Sequence, residues 1–76
     1  MTILESLIDG SHRLKEDTAD EQAFDLHDEI WEANWQFASY ESPINESALN
    51  FCIAEFRTRC EDLGLDYIDY LPEEMF

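Results

Sequence analysis

The chain has 76 residues, a length that predicts one small domain, residues 1–76, around a single hydrophobic core. It carries nineteen acidic and four basic residues, for a formal net charge of −15. Because 45% of the residues are hydrophobic and 13% are aromatic, we expect a folded domain with an acidic surface rather than a disordered segment. That charge excludes direct binding to the phosphates of nucleic acids and to anionic membrane surfaces.

The two cysteines and the N-terminal residues indicate the cellular compartment in which the protein is expected. Cys52 and Cys60 are eight residues apart on one predicted helix, which separates them by about 12 Å and rules out a disulfide between them. Free thiols are typical of a reducing cytosol. The first residues show neither a basic region nor a long apolar stretch, so we expect no signal peptide, no membrane segment and a cytoplasmic location.

A short first helix is predicted at the start of the chain. Thr2 and Glu5 have the spacing of a capping box, and Leu4, Leu7 and Ile8 share one face. Gly10 is interpreted as the end of this helix, because glycine commonly follows the last helical turn. Residues 11–17 are then expected to form a polar connector.

The second helix is predicted to begin at a capping box formed by Thr18 and Glu21 and to extend to about Tyr40. Its apolar face recurs at helical spacing, and Trp31 is expected in the core. The apolar positions are Ala23, Leu26, Ile30, Trp31, Trp35 and Phe37.

Ser42-Pro43 predicts the start of a third helix, which should run to Leu63 and stop at Gly64. Its buried seam comprises Leu49, Cys52, Ile53, Phe56, Cys60 and Leu63. The near-heptad spacing of that seam favours antiparallel packing on the second helix. In the tail, Asp66 is a candidate N-cap and Pro72 a candidate start of a further turn. The fold class is therefore an all-α bundle of about three helices: a short N-terminal helix, two longer antiparallel helices and a short helical C-terminal tail.

The charge is distributed unevenly along the chain. Residues 16–55 contain eleven acids and residues 61–76 contain six more, and neither window has a lysine or arginine. On the second helix the acids recur every three or four residues, which places them along one stripe with no cation to offset their repulsion. A solvated face is the usual role of such acids, but ordinary surfaces mix both signs. We therefore interpret them as contacts for a basic partner. The predicted partner-binding residues are Asp20, Glu21, Asp25, Asp28, Glu29, Glu32, Trp35, Glu61, Asp62, Asp66, Asp69, Tyr70, Glu73 and Glu74.

No catalytic or metal-binding pattern is evident. His27 lies beside the apolar face of the second helix and is expected to be a packed or rim residue rather than a base. The cysteines and histidines lack the spacing of zinc ligands. We expect a protein that is not an enzyme and that needs neither a cofactor nor a metal.

Two segments resemble known proteins. Asp25-Leu26-His27-Asp28-Glu29-Ile30 resembles an L-H-D-x-I helix segment of phage antirestriction sequences, and the helix ending Cys60-Glu61-Asp62-Leu63-Gly64-Leu65 adds to the likeness. In size, charge and helicity the chain is similar to small acidic phage proteins, the DNA-mimic antirestriction and anti-CRISPR proteins. The resemblance implies host-defence evasion in the bacterial cytoplasm, by occupying a DNA-binding surface of a restriction enzyme or a CRISPR effector complex, of which the second is favoured.

Three hypotheses follow. In the first, the chain is a stoichiometric inhibitor whose acidic face binds a Lys/Arg-lined nucleic-acid channel, so that its partner is a basic nucleic-acid-binding protein or a CRISPR effector subunit. In the second, it is an antitoxin, an anti-sigma factor or a polymerase inhibitor that binds through its aromatic surface, Trp35 and Tyr70 included, with charge only steering the encounter. In the third, the seam of the third helix pairs two copies, so both a monomer and a homodimer remain open.

Overall fold

The computed structural model describes residues 2–75, and these form an all-α fold. Three helices follow one another: α1 (Ile3–Asp17), α2 (Glu21–Ser39) and α3 (Pro43–Asp62). Two short 3-10 turns, Tyr67–Tyr70 and Glu73–Met75, complete the described part of the chain, which contains no strand. The predicted fold class is confirmed.

The N-terminal ends of the helices are set by hydroxyl and carboxylate caps. The Thr2 hydroxyl accepts a hydrogen bond from the Glu5 amide at 3.1 Å, and the Ser42 hydroxyl accepts one from the Asn45 amide at 3.1 Å. The prediction that Thr18 caps α2 was wrong, because the Asp20 carboxylate takes that position and accepts from the Ala23 amide at 2.8 Å. Thr18 instead ends α1.

The first helix is longer than the sequence indicated, and residues 11–17 are helical rather than a polar connector. Gly10 does not end this helix but is buried in its middle. A Cβ atom at this position would lie 2.1 Å from the carbonyl oxygen of Tyr70, so the glycine is there to let the C-terminal turn approach α1. A glycine that serves a tertiary contact cannot be distinguished from a helix stop by local spacing alone.

The helices α2 and α3 form an antiparallel pair joined by residues 40–42. The Asn45 side-chain amide donates to the Tyr40 carbonyl at 2.7 Å at the connected end, and Arg59 pairs with Asp20 at the other end. The third helix ends in a left-handed glycine, Gly64, with a φ of 73°, and the Leu65 amide donates back to the Cys60 carbonyl at 2.8 Å. The predicted ends of both helices and the predicted start of α3 are confirmed to within one residue.

The core lies where α1 and the C-terminal turn cover the α2–α3 pair. Phe56 is fully buried at its centre, and its ring meets His27 and Tyr70 edge-on, with centroid separations of 5.4 and 6.4 Å. The other buried hydrophobic residues are Leu7, Leu14, Ala23, Ile30, Leu49, Cys60 and Leu71. The seam predicted for α3 is thus used inside the chain, and pairing two copies through it would require α2 and α3 to separate.

Two predictions about aromatic residues were wrong. Trp31, expected in the core, is 39% exposed, because it lies at the edge of the buried face of α2 rather than at its centre. Tyr70, proposed as a partner contact, is only 2% exposed. Its ring packs on Phe56, and its hydroxyl donates to the Asp17 carboxylate at 2.5 Å. Within residues 2–75, no helix is both long and apolar enough to span a bilayer.

Candidate polyanionic interface

Carboxylates cover the surface of the folded chain. Of its nineteen acidic residues, every one except Asp20 has an exposed side chain. The acids of residues 16–55 and 61–76 therefore face solvent. Among the predicted acidic contact residues, only Asp20 is partly buried.

The acids of α2 form a ridge, defined as Glu21, Asp25, Asp28, Glu29 and Glu32. The inward face of the helix is fixed by Ala23, His27 and Ile30, all of which are buried. Helical periodicity then turns the ridge residues away from the core, and all five are exposed. With a rise of about 1.5 Å per residue, the ridge places five charges along about 16 Å of helix, or one charge per about 4 Å. A single nucleic-acid strand carries one phosphate per about 3.4 Å, a similar linear density.

The three arginines of the chain are paired with carboxylates outside this ridge. Arg13 pairs with Asp9, and Arg57 pairs with Glu61 at 3.1 Å. Arg59 binds the Asp20 carboxylate through two hydrogen bonds of 3.1 and 2.5 Å. Among the ion pairs of residues 2–75, none involves a member of the ridge. The five ridge charges are therefore free of internal salt bridges.

Asp20 and Glu61 are the two predicted contact residues that structural ion pairs occupy. Hydrogen bonds from the Arg59 guanidinium and then from the Ala23 amide lower the pKa of Asp20 below its ordinary value of 3.8. Because Asp20 also caps α2, its carboxylate has a structural role in holding α2 to α3. We accordingly exclude Asp20 from the ridge.

The remaining predicted acids lie outside the ridge. Asp62 shares a surface groove with Gln22 and Leu26, so it lies near the N-terminal end of the ridge. Asp69 and Glu73 instead line a groove with Asp9 and Arg13 on the side of α1. Asp66 and Glu74 are exposed, and the Asp66 carboxylate additionally accepts a hydrogen bond from the Ile68 amide. The structure thus brings Asp62 towards the ridge and places Asp69 and Glu73 on the side of α1.

A pair of stacked tryptophans adjoins the ridge. The rings of Trp31 and Trp35 are nearly parallel, with an interplanar angle of 8° and centroids 6.1 Å apart, and Trp35 is 53% exposed. Positions 28, 31, 32 and 35 are spaced by three and four residues, so the two rings and the carboxylates of Asp28 and Glu32 share one side of α2. Trp35, one of the predicted partner-binding residues, is therefore accessible to a partner.

Sequence reasoning missed a second exposed apolar surface, on the outer side of α3. Ile44 is 82% exposed, Phe51 is 63% exposed, and the nearby Tyr40 is 72% exposed. Ile44, Ala48 and Phe51 have the spacing of a helical stripe, which was the available signal. Helical periodicity turns this stripe away from the seam that contacts α2.

The buried titratable groups are placed for packing. The His27 ring contacts the Tyr70 carbonyl oxygen through Nε2 at 2.9 Å, and burial lowers the pKa of its imidazole. Burial also raises the pKa of the Cys60 thiol to about 11 and raises the pKa of Cys52. Thiols with raised pKa values are poor nucleophiles. In the part of the chain that the structure describes, no three side chains of His, Cys, Asp or Glu are grouped to hold a metal ion.

Comparison of the chain with protein-family models, with curated proteins and with solved structures finds no match. The functional argument therefore starts from the ridge, the tryptophan pair and the apolar stripe of α3.

Proposed function

We propose that the chain is a stoichiometric inhibitor that occupies a Lys/Arg-lined nucleic-acid-binding surface of a bacterial defence nucleoprotein. The observation that carries this proposal is the ridge of α2, with five exposed carboxylates and no internal salt bridge. The resemblance to anti-CRISPR proteins favours a CRISPR effector complex in the bacterial cytoplasm as the target. The inhibitor acts by binding, without catalysis or cofactor.

The chemistry of the ridge suits such a target. Arginine and lysine side chains bind phosphates by charge-assisted hydrogen bonds, and carboxylates accept the same bonds. The rigid helix holds its charges at nearly the spacing of a nucleic-acid strand, so one cationic groove can accept either. The long-range field of a chain with net charge −15 also accelerates the encounter with a positive cleft.

The energetic cost of the ridge supports the same proposal. Like charges three or four residues apart each destabilise a helix by a few tenths of a kcal/mol. A domain of this size has a stability of only about 5 kcal/mol, so several such pairs are a significant loss. A basic partner removes that repulsion in the complex, which adds to the driving force for binding.

Charge reversal of the ridge tests the proposal. The variant Asp25→Lys/Asp28→Lys/Glu32→Lys should lose inhibition of target-DNA binding by a CRISPR surveillance complex, measured by gel shift. Its helical circular dichroism should be unchanged, because all three side chains are exposed. The matched control Glu5→Lys/Glu41→Lys/Glu46→Lys changes the net charge equally at exposed acids outside the predicted contact residues and should retain most of the inhibition.

Salt gives an independent readout. Binding through exposed charges should weaken strongly between about 0.1 and 0.5 M salt. The reason is that the Debye screening length falls from about 10 Å to about 4 Å over this range. If the ridge variant inhibits as well as the parent chain, or if both triple variants lose inhibition equally, the ridge is not the contact surface.

A second candidate function is favoured by the stripe of Ile44, Ala48 and Phe51. Exposed apolar side chains of this size commonly mark a protein-binding surface. The chain would then be an acidic regulator such as an antitoxin, an anti-sigma factor or a polymerase inhibitor, with charge acting only in the encounter. In that case Phe51→Ser or Trp35→Ala would reduce binding more than the charge reversals do, and binding would persist at 0.5 M salt, where exposed charges are screened to about 4 Å.

A further inference from the structure

We infer that the stacked pair of Trp31 and Trp35, together with Asp28 and Glu32, forms an arginine-binding site, and that the partner inserts an arginine rather than a lysine there. The inference rests on the proposed function, since it specifies how one residue of a basic partner is recognised on the ridge side of α2. It assigns the tryptophans a role that the carboxylates alone do not provide.

The exposure of the two rings is the first observation. Indole rings bury large apolar areas when they can, yet Trp31 and Trp35 are 39% and 53% exposed in a chain whose core holds a phenylalanine and a tyrosine. In their near-parallel stack each ring fixes the orientation of the other. An exposed ring held in this way is preorganised to receive a flat group.

The charge around the rings selects a cation. Asp28 precedes Trp31 by three residues, and Glu32 precedes Trp35 by three, so each ring has an exposed carboxylate one turn away. Lys15 borders the groove that Asp28 and Trp31 line, but it makes no ion pair among those of residues 2–75. The more exposed ring, Trp35, with Glu32 beside it, is therefore the open end of the site.

The chain builds a similar arrangement from Arg57 and Glu61 of α3 and Tyr67 of the 3-10 turn that follows it. The guanidinium carbon of Arg57 lies 5.4 Å from the centroid of the Tyr67 ring, while its Nε donates to the Glu61 carboxylate at 3.1 Å. An arginine here bonds a carboxylate while its planar group covers an aromatic ring. At Trp31 and Trp35 the ring and carboxylates recur, and no cation within residues 2–75 is placed over either ring.

Arginine fits this site better than lysine does. The guanidinium is planar, stacks on an aromatic face and is weakly hydrated, whereas the ammonium is compact and strongly hydrated. A guanidinium can also donate to a carboxylate in its own plane while its face covers a ring. At an exposed site, we expect the resulting preference for arginine to be about fivefold in affinity.

Short peptides of equal charge test the inference without knowledge of the natural target. Tetra-arginine and tetra-lysine should both bind at low salt by isothermal titration calorimetry, tetra-arginine about fivefold more tightly. Because Trp31 and Trp35 are the chain's two tryptophans, a change in tryptophan emission reports on this site alone. Only tetra-arginine should change the emission strongly.

Two variants complete the test. Trp35→Ala should reduce the affinity for tetra-arginine to that for tetra-lysine, while Tyr40→Ala, which removes another exposed aromatic ring, should change neither. Equal affinities in the parent chain, or an arginine preference that survives Trp35→Ala, would overturn the inference while leaving the ridge intact as a cation-binding surface. If neither peptide binds at low salt, the proposed function fails as well.

Discussion

Replacing Gly10 by alanine provides the sharpest test of how the C-terminal turn is held. In an ordinary helix interior, alanine is more favourable than glycine by about 1 kcal/mol, so the substitution would be expected to stabilise α1. Here the added Cβ would lie 2.1 Å from the Tyr70 oxygen and 2.7 Å from its carbonyl carbon, whereas Cβ atoms essentially never approach another atom within 3.0 Å. Both of these contacts are backbone atoms, which cannot rotate away as the end of a side chain could.

The clash sets the size of the effect. Relieving it requires the turn to move by about 1 Å, which breaks the 2.9 Å contact between His27 Nε2 and the Tyr70 carbonyl oxygen. Losing a buried hydrogen bond costs about 1–3 kcal/mol, and the loosened packing of Tyr70 on Phe56 adds to that loss. After the helix gain of about 1 kcal/mol, we expect a net destabilisation of about 2 kcal/mol. For a domain of this length, the melting temperature should fall by about 10 °C.

Urea unfolding followed by circular dichroism measures this difference. Gly64→Ala is the matched control, because Gly64 has a positive φ but nothing within 4 Å of the added Cβ. It should cost about 1 kcal/mol from backbone strain and leave the NMR signals of the His27 ring unchanged, whereas Gly10→Ala should shift them. If Gly10→Ala proves as stable as the parent chain or more stable, Tyr70 does not rest on α1 as described.

Two further predictions concern buried titratable groups. Burial lowers the pKa of His27 in the folded state below its ordinary value of 6.5, so the unfolded chain binds the proton more readily. The free energy of unfolding should therefore fall as the pH drops below about 6.5, by at most about 1.4 kcal/mol per pH unit. The free energy of unfolding in urea should be compared between the parent chain and His27→Gln from pH 7.5 to 5.5, because the effect of the carboxylates is common to both and cancels. Parallel pH dependences of the two chains would contradict a buried neutral His27. Cys60 should resist thiol reagents at pH 8 in the folded chain, since a pKa of about 11 leaves about one thiolate in a thousand. In Cys52→Ser, Cys60 should react with Ellman's reagent only after urea is added, and rapid labelling without urea would show that it is accessible.

The candidate site was only partly predictable from the sequence. The outward direction of the ridge follows from helical periodicity, since Ala23 and Ile30 determine which side of α2 is buried. That Asp20 binds Arg59, 39 residues away, could not be foreseen, because no local spacing links them. Similarly, Trp31 lies at the margin of the apolar face, where burial depends on how closely α1 packs.

Local sequence alone determined the helical class, the capped starts of α1 and α3, the ends of α2 and α3, and the acidic character of the surface. Each of these depends on residues within one or two helical turns of each other, or on composition. Only the tertiary structure decided that α1 continues through Gly10, that Tyr70 is buried and that Trp31 is left partly exposed. These features depend on contacts between residues far apart in the chain, such as Gly10 with Tyr70, and the chain must fold before such pairs can meet.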